Sequence, residues 1–256
     1  MAIQKNQGII IKTQLFRSTS LIVTFFTRDF GKIRGLVKGV RQAGETRGAL
    51  YELFTCLEIV YYEKTRSDLH LVSEAFMLEN YSSLRSQLGS IAYASYFSEL
   101  ADELTEVHDP HGKIFDLLHF CFRYLPSLSG PRIARIFEIK LLSEIGWLPY
   151  LDRCLGCSNP HLEEGFFSPR QGALLCPACA KRYGDVFRIQ REALAAMRYY
   201  ARHDLEMSSR FWITDRTSTE LETLIERFLL ERIQKPLKST LFLKKLKQTI
   251  EKQQRF

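Results

Sequence analysis

Residues 21–40 read LIVTFFTRDFGKIRGLVKGV, and they give the clearest indication of the architecture. Two runs rich in β-branched and aromatic residues, 21–28 and 32–40, flank the turn-forming step Asp29-Phe30-Gly31, which predicts two antiparallel strands. Three more runs of this composition lie within the first 80 residues, at 8–14, 50–62 and 69–75. Five consecutive strands in so short a segment indicate a small barrel. A five-stranded OB-type barrel is the leading interpretation, and an SH3-like barrel fits the strand count nearly as well.

Cations alternate with apolar residues along the run 32–40. Lys32, Arg34 and Lys38 occupy even positions, while Ile33 and Val37 occupy odd ones. Because successive side chains of a strand point to opposite faces, the three cations share one face. Two further arginines extend the charge into the following loop, at Arg41 and Arg47.

Aromatic residues next to this basic face would complete a surface for single-stranded nucleic acid, since cations track the backbone and rings stack on bases. Phe25 and Phe26 are adjacent on the preceding strand. We expect at least one of the two rings on the exposed face, unless the barrel interior takes both. The alternative is that both rings belong to the core and that the cations only solubilise the barrel.

The formal net charge of the 256-residue chain is +7, and the excess lies at its two ends. Residues 1–47 hold nine Lys and Arg against two acidic residues, and residues 191–256 hold fourteen against nine. Such clustering favours a polyanionic partner, most commonly nucleic acid. A weaker signal of the same kind comes from the C-terminal lysines Lys235, Lys238, Lys244, Lys245 and Lys247.

Beyond residue 79 the apolar residues recur at helical spacing. Helices are predicted at 90–106, 113–125, 132–145, 191–203, 219–234 and 240–252. The third is apolar nearly all round, which is typical of the buried centre of a bundle. Thr217 with Glu220, or Thr219 with Glu222, offers a capping box for the fifth. The predicted fold is α+β, with a barrel domain at 1–79 and a helical domain at 80–256.

Four of the six cysteines form two Cys-x-x-Cys pairs, Cys154 with Cys157 and Cys176 with Cys179. Eighteen residues separate the pairs, which is zinc-ribbon spacing, and a ribbon at about 150–185 is therefore expected. Each pair turns two thiolates toward one point, and two pairs complete the tetrahedral sulfur cage that zinc prefers. Four thiolates leave no open coordination position, so one structural zinc per chain is predicted.

Other interpretations of the cysteines stay open. Iron or an iron–sulfur cluster would fit the same cage, and His161, between the pairs, could replace a ligand. Cys56 and Cys121 lie in strand-like and helix-like runs and are expected to be small core residues.

Catalytic motifs are not found in the sequence. It contains no Walker-type phosphate loop, no Gly-x-Ser-x-Gly elbow and no His-Glu-x-x-His pair. The carboxylates within 99–109 have the spacing of a solvated helix face. No signal peptide or membrane span is evident, and a cytoplasmic, non-catalytic protein without membrane contact is predicted.

Several segments together resemble the bacterial recombination mediator family RecO. The resemblance spans nearly the whole chain, and it rests on the order and spacing of segments that are weak singly. They are GIIIK at 8–12, FGKIRGLVKG at 30–39, FEIKLLSEIGWLP at 137–149, LDRC at 151–154, FSP at 167–169 with Gly172, CPAC at 176–179 and PLKS at 236–239.

This resemblance implies an OB barrel followed by a helical domain that a zinc ribbon interrupts. It implies binding of single- and double-stranded DNA, annealing of complementary strands and location at the bacterial nucleoid. The implied protein partners are RecR, the acidic, Phe-ended tail of single-strand-binding protein and, indirectly, RecA. The family's basic barrel surface corresponds to Lys32, Arg34, Lys38 and Arg41, and the zinc ligands to the four paired cysteines.

Residues for recognition of the tail cannot be placed by the resemblance. An acidic, Phe-ended tail needs an apolar pocket rimmed by cations, and the helical region offers Arg123, Arg132, Arg135 and Lys140. A different class of function, a zinc-ribbon factor that binds RNA or the ribosome, also suits a barrel with a ribbon.

Overall fold

Five strands of the N-terminal region close into a barrel in this computed structural model, which describes residues 2–40, 47–64, 67–160 and 162–253. The strands are β1 (Ile3–Phe16), β2 (Ser20–Thr27), β3 (Gly31–Val37), β4 (Cys56–Tyr62) and β5 (Leu69–Glu79). They follow the order β1-β2-β3-β5-β4, and β4 returns to β1 to close the barrel. The pairing of β3 with β5 is parallel and the others are antiparallel. This arrangement confirms the predicted OB-type barrel.

The barrel interior is filled by the apolar face of the alternating strands. Ile33 and Val37 lie inside it, as their odd positions predict. Gly35 lies between them because the neighbouring space is taken: a Cβ there would be 2.5 Å from Val72 and 3.0 Å from the ring of Phe25. The missing side chain therefore lets a large ring fill the centre.

The predicted strand at 50–62 is only partly correct. A 3-10 helix, Arg47–Tyr51, occupies its first part, and β4 starts at Cys56. The cause lies at Phe54, whose φ of 67° is left-handed and cannot continue a strand. Its N–H donates to the carbonyl of Ile10 on β1, at 2.9 Å, which holds this turn against the barrel.

Helices α1 (Ser82–Arg85), α2 (Leu88–Leu104) and α3 (Gly112–Tyr124) follow the barrel, and the chain returns to α2 with its last helix, α9 (Lys238–Gln253). Together with the barrel they form one compact unit, residues 1–128 with 237–256. The change from strand to helix thus falls where the sequence places it, after β5. The compact unit nevertheless continues past residue 79, because these helices pack against the barrel strands and each other.

The second compact unit comprises residues 129–236. Its helices are α4 (Gly130–Glu144), α5 (Pro177–Ala180), α6 (Arg191–Arg202), α7 (Leu205–Arg210) and α8 (Asp215–Ile233). Helix α4 is buried almost all round, as predicted, and it buries the ion pair of Arg135 with Glu138, at 2.7 Å. The predicted capping boxes are wrong, since α8 starts earlier and Thr214 caps it by accepting the N–H of Thr217.

A three-stranded sheet lies within the second unit, between α4 and α6 in the chain. Its strands are β6 (Gly165–Ser168), β7 (Ala173–Leu175) and β8 (Phe187–Ile189), in the order β7-β6-β8. Across the described ranges, no helix combines the length and the apolar character that crossing a membrane requires.

Candidate nucleic-acid interface and four-cysteine cluster

Lys32, the first cation of the predicted basic face, is buried rather than exposed. Its ammonium donates to the backbone carbonyls of Asp102 and Thr105, the latter at 2.9 Å, and lies 3.1 Å from the Asp102 carboxylate. These groups belong to the C-terminal end of α2, where unpaired carbonyls attract a cation. The charge of Lys32 is therefore used inside the protein.

Asp102 also binds a second lysine. Its carboxylate accepts from the Lys12 ammonium at 2.9 Å. Burial would raise the pKa of Asp102, but hydrogen bonds and charge from Lys12 and Lys32 outweigh burial and lower it. The carboxylate is thus held ionised between two lysines, and the cluster keeps an excess of positive charge.

Strand register sets three polar side chains in one row across the barrel. Lys12 on β1 pairs with Thr24 on β2, and Thr24 pairs with Arg34 on β3. Lys12 and Arg34 are exposed, and the row borders a pocket of about 230 Å³. The same pocket is lined by Gln14, Lys32, Asp102 and Val107.

The expected aromatic platform is not formed by Phe25 or Phe26. Both rings are fully buried. Phe25 lies in the barrel core, and α3 packs on β2, the strand that carries Phe26. A different ring, Phe16, lies on the same face as Lys12. Lys12, Gln14 and Phe16 occupy alternate positions of β1, and alternate side chains of a strand point to one face. Phe16 is half-buried, and the Arg17 guanidinium lies 5.3 Å from its ring centroid. Its period-2 spacing from Lys12 is the sequence signal that could have found it.

The structure describes only some of the remaining predicted DNA contacts. Lys38 is exposed just beyond the end of β3. Arg41 lies outside the described residues, and the side chain of Arg47 does too. Of the five C-terminal lysines, Lys247 is partly buried and the others are exposed, namely Lys235, Lys238, Lys244 and Lys245.

The four paired cysteines come together in one cluster. Their sulfur atoms all lie within 4.8 Å of one another, and the sulfurs of Cys157 and Cys176 are 3.8 Å apart. Cys157 is exposed and the other three are buried. The first pair precedes β6, and the second pair spans the start of α5, which the Cys176 side chain caps.

Backbone N–H groups are directed at sulfurs of the cluster. The Cys154 sulfur accepts the N–H of Cys176 at 3.3 Å, and the Cys176 sulfur accepts that of Cys179 at 3.4 Å. Burial opposes ionisation of Cys154, but the backbone N–H groups of Cys176, Cys157 and Gly156 outweigh it and lower the pKa of its thiol to about 6. At Cys157 the N–H of Asn159 favours the thiolate, but hydrogen bonds with the neighbouring sulfurs, that of Cys154 first, and burial outweigh it and raise the pKa of this thiol to about 11. Four sulfurs at this spacing are the donor set of a metal site, which binds them as thiolates.

The dimensions of the cluster suit zinc. Four sulfurs bound at about 2.3 Å in a tetrahedron lie about 3.8 Å from one another, which is the distance between Cys157 and Cys176. The alternative ligand His161 lies outside the described residues. Cys56 and Cys121 are buried far from this cluster in the chain, and burial raises the pKa of the Cys121 thiol, as for an inert core residue.

The cations considered for tail recognition are mostly engaged. Arg132 donates to the carbonyls of Ser209 and Phe211 and lies 4.2 Å from the ring of Trp212. Arg135 is buried in its ion pair, and Lys140 donates to the carbonyl of His203. Arg123 is exposed on α3. Trp212, at 77% exposure, is the most exposed large apolar side chain described.

A closed OB-type barrel, a helical unit and a ribbon with four clustered cysteines together define the class of barrel-and-ribbon α+β proteins. Two family models match this chain. Recombination protein O N terminal matches residues 1–81, and Recombination protein O C terminal matches residues 85–241. The chain belongs to the recombination protein O (RecO) family.

Curated relatives agree with this assignment. The DNA repair protein RecO of Halalkalibacterium halodurans is 28% identical over 94% of each chain. That of Caldicellulosiruptor saccharolyticus is 29% identical over 95% of this chain and 98% of the relative. That of Anaeromyxobacter dehalogenans strain 2CP-C is 32% identical over 75% of this chain and 77% of the relative.

Proposed function

We propose that this chain is a non-catalytic DNA-binding mediator of recombinational gap repair. It binds single- and double-stranded DNA, anneals complementary strands, and acts in the bacterial cytoplasm at the nucleoid. Membership of the RecO family supports this role, as do the names of its relatives.

The observation that carries DNA binding is the row formed by Lys12, Thr24 and Arg34. The exposed cations Lys12 and Arg34 lie on either side of the buried Thr24, and their spacing suits the phosphates of a strand laid over β1, β2 and β3. Lys38 extends the positive charge, and we propose Arg41 and Arg47 as further DNA contacts. Lys32 supports this surface from beneath through Asp102 instead of meeting phosphate. Phe16 supplies the ring on which a base can stack.

The cysteine cluster supports a structural zinc ion held by Cys154, Cys157, Cys176 and Cys179. With all four positions taken by thiolates, the ion has no site for substrate. Its contribution is to stabilise a ribbon whose three strands are only three or four residues long. Short sheets of this kind bury too little apolar surface to be stable alone.

Partner recruitment is assigned to the same mediator role. We infer that the chain pairs with RecR, binds the C-terminal tail of single-strand-binding protein, and thereby helps to load RecA. In the second unit, Trp212 is exposed and supplies an apolar surface against which the Phe of the tail can pack. Arg132 lies beneath this ring and is engaged with the carbonyls of Ser209 and Phe211, so it holds Trp212 in place rather than meeting the acidic residues of the tail.

An annealing assay tests the proposal with the full-length protein. Complementary fluorescent DNA strands, coated with single-strand-binding protein, should anneal faster when the protein is added. Strands coated with a binding protein that lacks its C-terminal tail should respond less. Equal acceleration of matched RNA strands, with preference for RNA in competition, would instead support the RNA-binding alternative.

A further inference from the structure

One sulfur of the cysteine cluster has a different kind of hydrogen-bond donor. Backbone N–H groups are directed at three of the sulfurs, those of Cys154, Cys157 and Cys176. The sulfur of Cys179 accepts instead from a side chain, the guanidinium of Arg182, at 3.0 Å. Because this donor belongs to a side chain, a substitution at position 182 can remove it, whereas the backbone donors to the other three sulfurs would remain.

The position of Arg182 is fixed by the fold of the second Cys-x-x-Cys pair. Its backbone N–H donates to the carbonyl of Cys179 at 3.0 Å, so both its backbone and its side chain bind the same residue. Gly156, in the first pair, leaves the space. A Cβ on Gly156 would lie 2.8 Å from the Cys179 sulfur and 3.4 Å from the Arg182 guanidinium. The two pairs thus meet at Gly156, Cys179 and Arg182.

Electrostatics gives this contact a consequence once a divalent ion is bound. Four thiolates around one divalent cation leave a net charge of −2, which draws protons and electrophiles to the sulfurs. A guanidinium that donates to one sulfur neutralises part of that charge through a charge-assisted hydrogen bond. Groups that hydrogen-bond to metal ligands in this way orient them and tune the affinity of the site.

We propose that Arg182 is a positioning residue of the metal site, which holds the Cys179 thiolate in place and strengthens binding of the ion. This role rests on the proposed zinc site. Arg182 does not itself bind the metal, and its exposure means that its replacement removes no core packing.

Zinc affinity of the full-length, zinc-loaded protein tests the role. Three variants are compared with wild type: Arg182→Met, which removes charge and donor; Arg182→Lys, which keeps the charge; and Lys181→Met, a control that removes the neighbouring exposed cation. Competition with a chromogenic chelator measures zinc affinity. Cobalt substitution gives a second readout, the thiolate-to-cobalt absorption band.

Arg182→Met should weaken zinc binding about tenfold, which is the lower end of the 10- to 100-fold losses that follow removal of such groups. It should also shift the cobalt band. Arg182→Lys should fall between it and wild type, and Lys181→Met should match wild type. Equal affinities and bands for the two Met variants would overturn the role of Arg182 and leave the zinc site standing. Wild-type protein with no zinc and no cobalt–thiolate band would overturn both.

Discussion

The ammonium of Lys32 on β3 lies 3.1 Å from the carboxylate of Asp102, near the end of α2. The same ammonium also donates to two carbonyls that α2 leaves unpaired, so a barrel residue caps the helix that packs on it. A lysine whose position in the sequence predicts contact with DNA thus joins the barrel to its first long helix.

Replacing Lys32 with Met should destabilise the protein by about 3 kcal/mol, the lower end of the cost of breaking a buried ion pair. The lower end is expected because Asp102 keeps its second partner, Lys12. Chemical denaturation measures the loss. Lys38→Met, which removes an exposed lysine just beyond the same strand, serves as the control and should change the stability little. Equal stabilities of the two variants would contradict the capping role.

Glu99 on α2 should determine how firmly α9 is docked. Its carboxylate accepts the N–H groups of Lys238 and Ser239, at 3.0 and 2.7 Å, at the first turn of α9. Glu99→Ala should cost about 1–2 kcal/mol, as for loss of a helix cap. Hydrogen exchange should become faster in α9. Glu106→Ala, beyond the end of α2, is the control, and unchanged protection of α9 in Glu99→Ala would show that other contacts hold it.

Metal content tests the cysteine cluster directly. Elemental analysis of purified protein should give about one zinc per chain, because four thiolates satisfy one tetrahedral ion. Cys176→Ser should lower the zinc content and increase proteolysis within residues 150–185. Cys121→Ser, outside the cluster, should keep its zinc. A metal-free wild-type protein with an unchanged melting temperature would exclude a structural zinc.

Local patterns predicted the barrel well, since alternation of apolar residues places Ile33 and Val37 inside it. The cysteine cluster was predicted equally well, because the spacing of the two Cys-x-x-Cys pairs is a local pattern that indicates a shared metal site. The start of β4 was missed, since the turn at Phe54 depends on a hydrogen bond to Ile10, which is distant in the chain. Long-range contacts of this kind leave no local signature.

The candidate DNA surface was predicted only in part, for a related reason. Alternation correctly set Lys32 and Arg34 on one face, but it cannot show that α2 covers one of them and leaves the other exposed. Burial of both Phe25 and Phe26 likewise follows from elements that pack on the two sides of β2. The division of roles between residues 1–79 and 80–256 stays a prediction.

His70 should make the stability of the protein depend on pH. Its buried ring stacks on Tyr61 and meets the edge of His108. Burial and then the charge of His108 lower its pKa, while Glu63 and Asp68 oppose this and Lys64 adds to it. The folded state then binds fewer protons than the unfolded state, in which the pKa is about 6.5. Stability is therefore full above pH 6.5 and is lost as the pH falls below it.

Melting temperatures at pH 7.5 and 5.5 check this dependence. Wild type should lose more stability on acidification than His70→Gln, which cannot be charged. The Nδ1 atom of His70 accepts the N–H of Lys64, and the Gln carbonyl can replace that acceptor. Identical losses in the two proteins would assign the acid sensitivity to other groups.

DNA binding should separate the cation Arg34 from the ring of Phe16. Arg34→Ala removes one phosphate contact, so the log–log slope of single-strand affinity against salt should flatten by about 0.7. Phe16→Ala removes a stacking surface, which is worth about 1–3 kcal/mol per base. It should therefore weaken binding at every salt concentration and leave the slope unchanged, since stacking releases no counterions.

Arg188→Ala, on the ribbon, is the matched control for Arg34, and fluorescence anisotropy over a salt series measures all four proteins. A wild-type slope in Arg34→Ala would place the phosphate contacts away from β3, with the lysines of α9 as the next surface to test. A flattened slope in Phe16→Ala would mean that the loss of this ring disturbs the cations beside it rather than removing a stacking surface.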